Sequence, residues 1–164
     1  MKKKEIQSII HLSKEIKDSL IKGLLDRLPE EGCALLLGET NHKNNNNILQ
    51  ITEIWFCRNV WSSTLEQFIN NSDSTTKYEN SRKNRFLIDP LELVKVQKWA
   101  RNNQFVIIGS AHSHPTTKAI PSQLDIKYSH ADSIMIIVDS VKNIRAWQMP
   151  SKRTTAPIEL TVIT

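Results

Sequence analysis

Two histidines and an aspartate in the second half of the chain have the residue types and spacing of a metal site. His112 and His114 stand in Gly109-Ser-Ala-His112-Ser113-His114-Pro115, and Asp125 follows in Ser122-Gln-Leu-Asp125. The apolar run Phe105-Val-Ile-Ile-Gly109 predicts a buried strand that continues into the histidines. Residues two apart on a strand share a face, so both imidazoles point the same way and Ser113 points to the other. Pro115 turns the chain, and residues 122–130 read as a short helix that packs back near the strand end. Ser122 and Asp125, three apart, share one face of that helix. Two imidazoles and one carboxylate are a three-ligand set for zinc, with the fourth place left to water. Such a site brings the pKa of the water to about 7 and polarises a carbonyl. Taken alone, Ser-x-x-Asp is also a capping box, with Asp125 near the positive end of the helix. A lone His-x-His is also commonly a pair of half-buried strand residues. The conjunction of the two motifs, joined by a proline turn, favours the metal.

The remaining sequence must supply the elements that place these side chains. Residues 5–12 can form a short strand. Ser13 reads as an N-cap, and Ile16, Leu20, Ile21, Leu24, Leu25 and Leu28 recur at helical spacing, which predicts a helix over 14–28 ended by Pro29. Residues 33–38 and 48–56 read as a hairpin of strands, with the polar stretch 41–47 as a long tip. Residues 57–84 lack periodicity and read as a long excursion of the functional kind. Residues 85–88 suit an edge strand. Asp89-Pro90 is a strong helix start, and that helix runs to about Asn102. Residues 134–138 and 144–149 read as strands, and 159–164 as a last one. Helices and strands mix without regular alternation, so the expected class is α+β with a mixed sheet. No linker or internal repeat divides the chain, so residues 1–164 read as one domain.

Composition limits the partners. The 164 residues carry 22 Lys+Arg against 17 Asp+Glu, a mild net charge of +5 that suits a solubilising surface. No basic stripe with interleaved aromatics is present, so specific nucleic-acid binding is not expected. No apolar stretch approaches the roughly 18 residues of a membrane helix, and membrane association is not expected either. The basic N-terminus begins like a signal peptide, but Gln7, Ser8, His11 and Ser13 break its apolar run. The expected compartment is a reducing cytoplasm with both thiols free. Cys33 and Cys57 read as small buried residues. His11, His42 and His130 lack partners at ligand spacing.

The order His112-x-His114, seven residues, Ser122, two residues, Asp125 resembles the signature of the JAMM (JAB/MPN-plus) zinc metalloproteases, in its compact prokaryotic branch. The order of elements is similar over about residues 5–149, including the Asp89-Pro90 helix and the Arg145-x-Trp147 strand. That family carries a glutamate seven residues before a glycine closing the first core strand. Glu31 and Gly38 fit this placement, with Glu30 and Glu39 as near competitors. Ala34 departs from the family, where glycine is common, and the Asn-rich stretch 41–47 has no counterpart.

The resemblance implies a strongly curved mixed sheet flanked by helices, in a layer arrangement like that of cytidine deaminases. It implies hydrolysis of peptide or isopeptide bonds at one zinc ion held by His112, His114 and Asp125. Glu31 would be general base then acid, and Ser122 a hydrogen-bond donor to the oxyanion. The implied substrate is a ubiquitin-like or sulfur-carrier protein cut after its C-terminal Gly-Gly, lying in a groove lined by the 57–84 excursion. The short distance from Asp125 to the strand at 134 argues against a dedicated polyubiquitin enzyme. A catalytically inactive MPN scaffold is the alternative. A DNA-repair branch with His-Asn-His-Pro-Ser-Gly fits less well, since Ser113, Thr116 and Thr117 replace three of those residues. An iron oxygenase would have His-x-Asp/Glu followed by a distant histidine, not His-x-His followed by an aspartate.

Overall fold

The computed structural model describes residues 7–43, 46–64, 81–151 and 155–164. Ser13 caps the first helix as its type predicts, its side chain accepting the amide of Ile16. The strand before it, β1 (Gln7–Leu12), leads into α1 (Lys14–Leu25), which buries Leu20 and Leu24. The helix stops one turn earlier than expected, and residues 26–29 form turns. β2 (Cys33–Lys43) and β3 (Asn46–Cys57) make the hairpin. Their pairing runs on through His42–Asn47 and Lys43–Asn46, so most of the expected polar tip is strand. Ladder bonds are made by backbone groups, and the polar side chains there do not prevent them.

Asp89 caps α2 (Pro90–Asn102) with proline in its first turn. β4 (Val106–His114) follows, then α3 (Gln123–Tyr128), β5 (Ile134–Asp139), β6 (Ile144–Gln148) and β7 (Ile158–Ile163). Residues 85–88 form only an isolated bridge, Asn59 to Ile88, instead of an edge strand. Residues 65–80 of the expected excursion lie outside the described residues.

Among the described residues the strand order is β1-β3-β2-β4-β5-β6-β7, and parallel pairing of β7 with β1 closes the sheet. The fold is α+β with a strongly curved mixed sheet, as expected, with the curvature carried to closure. The two faces follow from alternation along β2. Ala34 and Leu36 join a core with Leu20 and Leu24 of α1, Ala111 of β4 and Ile136 of β5. Cys33, Leu35 and Leu37 face the other way, onto Val96 and Ala100 of α2. β5 is buried at all six positions and runs parallel to β4, the continuous apolar pattern of a strand covered on both faces. Gly109 is where β4 first meets β5. A Cβ there would collide with the carbonyl oxygen of Ile134, so a side chain would push the two strands apart just before the histidines.

Candidate metal centre

The last residues of β4 are His112 and His114, and the strand's period of two puts both rings on the face opposite Ala111. Their Nε2 atoms are 2.9 Å apart. α3 brings Asp125 to the same point, with Oδ1 3.3 Å from His112 Nε2 and Oδ2 3.4 Å from His114 Nε2. The three side chains offer donor atoms that all lie within 4.8 Å of one another. They are buried, at 0%, 4% and 9% exposure. The capping reading of Ser122 and Asp125 is realised, and the same Asp125 carboxylate faces both imidazoles. The Ser122 amide donates to Asp125 Oδ2 at 2.6 Å, and the Asp125 amide donates to Ser122 Oγ at 3.1 Å. The capping box fixes the rotamer that aims the carboxylate at the imidazoles.

His114 Nδ1 donates to the carbonyl of Lys118 at 2.8 Å. In the neutral ring that bond puts the proton on Nδ1 and leaves the Nε2 lone pair facing the cluster; only the protonated ring donates from Nε2 to Asp125. The His112 ring is stacked on Phe86, with centroids 4.4 Å apart, and its Nδ1 has no hydrogen-bond partner among the described residues. Burial lowers the His112 pKa, against the nearby charge of Asp125. Burial would lower that of His114 too, but its hydrogen bonds to Asp125 and Lys118 outweigh it and the net shift is upward. Burial would raise the Asp125 pKa, yet the two histidines and Ser122 hold it well below the usual carboxylate range. An ionised carboxylate and two imidazole nitrogens converging at one largely buried point can hold a cation between them. This set of nitrogen and oxygen donors suits zinc.

Glu31 sits in the turn between α1 and β2 at 7% exposure. It lines the same groove as Ser122 and Asp125, a cavity of about 630 Å³. Burial pushes its carboxyl up to about 8; the charges of His114 and Arg85 lower it, and Asp125 raises it. Glu30 instead pairs with Arg82 at 3.9 Å on the surface, and Glu39 is exposed on β2. Ser113, pointing away from the ligands as its position predicts, ties the turn to β4. The Gly32 amide donates to Ser113 Oγ at 2.8 Å, and the Ser113 amide donates to the Gly32 carbonyl at 3.0 Å.

A family model for prokaryotic homologues of the JAB domain matches residues 13–150. The chain belongs to this family. The JAB-domain fold is also that of solved structures of low sequence identity. The solution structure of a protein from Desulfitobacterium hafniense is 20% identical with a TM-score of 0.71, over 94% of this chain and 92% of that one. A second solution structure, from Salinibacter ruber, is 19% identical with a TM-score of 0.59, over 94% and 90%. The crystal structure of a JAB1/MPN domain protein from Archaeoglobus fulgidus is 16% identical with a TM-score of 0.50, over 96% and 98%. No curated protein matches the chain.

This JAB domain uses residues at the site that sequence reasoning did not single out. Asn59, Arg85 and Phe86 stand around Glu31 and His112, and 85–88 forms a wall of the groove. Their part depends on contacts between segments about 28 residues apart, which leave no local pattern.

The raised carboxyl of Glu31 predicts a stability change with pH once metal is stripped by chelator. Below about pH 4.5 both folded and unfolded states hold the proton. Between about 4.5 and about 8 the unfolded state gives it up and the folded state keeps it, so stability falls as pH rises. Glu31→Gln removes this loss. Melting temperatures of the chelated proteins at pH 5 and pH 9 check it: the variant's advantage over wild type grows with pH.

Proposed function

We propose that this JAB-domain protein is a zinc-dependent hydrolase of peptide or isopeptide bonds, a JAMM-type metalloprotease. The observation that carries the reading is the convergence of three buried ligand side chains with Glu31 and Ser122 on one groove. His112, His114 and Asp125 would hold a zinc ion, which when bound would supply a water of near-neutral pKa and a Lewis acid for the carbonyl. Glu31 takes the proton from the attacking water and hands it to the leaving amine. Burial raises its carboxyl, and a divalent cation held nearby would draw it back down toward the range in which a group accepts and then gives up a proton near neutrality. Ser122 Oγ accepts the Asp125 amide, so its hydroxyl proton is left to donate to the developing oxyanion.

The substrate is a ubiquitin-like or sulfur-carrier protein cut after a C-terminal Gly-Gly. β5 pairs with β4 only from Gly109 onward. The Val106–Ile108 segment therefore has a free edge beside the groove among the described residues, and an extended tail without bulky side chains can lie there, main chain to main chain. Both cysteines are free and buried, and among the described residues no helix is long and apolar enough to cross a membrane.

Ser122→Ala separates the two jobs of that serine. Losing the oxyanion donor lowers kcat by roughly a hundredfold or more. Losing the cap costs about 1 kcal/mol of stability. Steady-state kinetics and thermal melts read the two effects apart. The reading as a whole is tested by zinc analysis together with cleavage of ubiquitin-like and sulfur-carrier fusions extended beyond Gly-Gly. Zinc-dependent cleavage after the second glycine is the expected result. A zinc-loaded protein that cuts none of the panel contradicts it.

A further inference from the structure

Just past the end of β3, Asn59 is buried at 8% exposure and uses the full capacity of its carboxamide. Its Nδ2 donates to the carbonyl of Glu31 at 3.1 Å and to that of Arg85 at 2.8 Å. Its Oδ1 accepts the amides of Trp61 at 3.1 Å and Leu87 at 3.2 Å. Carbonyls only accept and backbone amides only donate, so the orientation of the side chain is fixed by its partners. One side chain therefore joins the Glu31 turn, the end of β3 and the 85–87 segment. Arg85 and Leu87 flank Phe86, whose ring stacks on His112. The Glu31 peptide is held from both sides, by Asn59 at its carbonyl and by Ser113, which lies between the two histidines, at the next amide.

We propose that Asn59 is the positioning residue of this site: its carboxamide fixes the Glu31 backbone, and the Phe86 ring, relative to the histidine pair. The proposal rests on Glu31 acting as the base. Asn59 is neither among the clustered candidate ligands nor in the lining of the groove, and acts through the placement of Glu31. A misplacement of about 1 Å at a reacting group costs roughly a hundredfold in rate, with substrate binding little changed.

The variant that isolates this role is Asn59→Asp. It keeps acceptors for the Trp61 and Leu87 amides, loses both donors, and sets a carboxylate against two carbonyl oxygens. Asn59→Ala removes all four bonds. The measurements are zinc content, kcat and KM, and hydrogen exchange of the backbone amides. For Asn59→Asp the expected result is full zinc content, kcat down roughly a hundredfold at unchanged KM, and faster exchange at Glu31 and Gly32. The Trp61 amide stays protected in Asn59→Asp and loses protection in Asn59→Ala. Wild-type kcat with wild-type exchange at Glu31 and Gly32 overturns the proposal. So does loss of zinc in step with activity, which marks a merely structural residue. If the zinc-loaded wild type cleaves nothing, the base reading falls. Exchange at Glu31 and Gly32 then decides alone whether Asn59 holds that peptide.

Discussion

Glu31→Gln lowers kcat by about 10²–10⁴, the usual share of a positioned acid–base group, and leaves one zinc per chain. The substitution keeps the shape of the side chain and its burial, and removes only the ability to take and return a proton. Glu31 is not among the clustered ligands, so metal content is untouched. Its backbone bonds to Asn59 and Arg82 survive, because they involve no side-chain atom of Glu31. Steady-state kinetics beside metal analysis checks the outcome. Full activity in Glu31→Gln would move the proton transfer to another group. Glu30 and Glu39 would be poor replacements, one paired with Arg82 at the surface and the other exposed on β2.

His112→Ala loses both the zinc and the turnover. Removing even a partner group behind a ligand commonly costs 10–100-fold in metal affinity, so removing a ligand from a set of three costs more than about 100-fold. His112 is wholly buried and stacked on Phe86, and among the described residues only His112, His114 and Asp125 are clustered as candidate ligands. Zinc content after dialysis separates this variant from Glu31→Gln: near zero in one, stoichiometric in the other. Equal zinc content in the two would remove His112 from the ligand set.

The candidate ligands were legible in the sequence because a strand's period of two and a helix's spacing of three act over a few residues. Both periods survive in the folded chain at His112, His114, Ser122 and Asp125. Asp89-Pro90 and Ser13 were legible for the same local reason, as helix caps. The closing of the sheet was not, because parallel pairing of β7 with β1 joins Ile9 to Thr161 across almost the whole chain. The stretch 41–47 misled through its polar side chains, although strand pairing there is a backbone matter. Glu31 was placed by family resemblance. Its burial comes from the packing of its turn against β4 and the segment before α2. Asn59 had no reading of its own within the 57–84 excursion, since an asparagine's four partners become visible only when three distant segments meet.

The central claim is that His112, His114 and Asp125 hold one zinc ion. Anomalous diffraction at the zinc edge, from crystals of the zinc-loaded protein, tests it most directly. The account predicts a single peak about 2.0–2.2 Å from Nε2 of both histidines and from a carboxylate oxygen of Asp125. Zinc-saturated crystals with no peak between these side chains, or with the ion bound elsewhere, would contradict it.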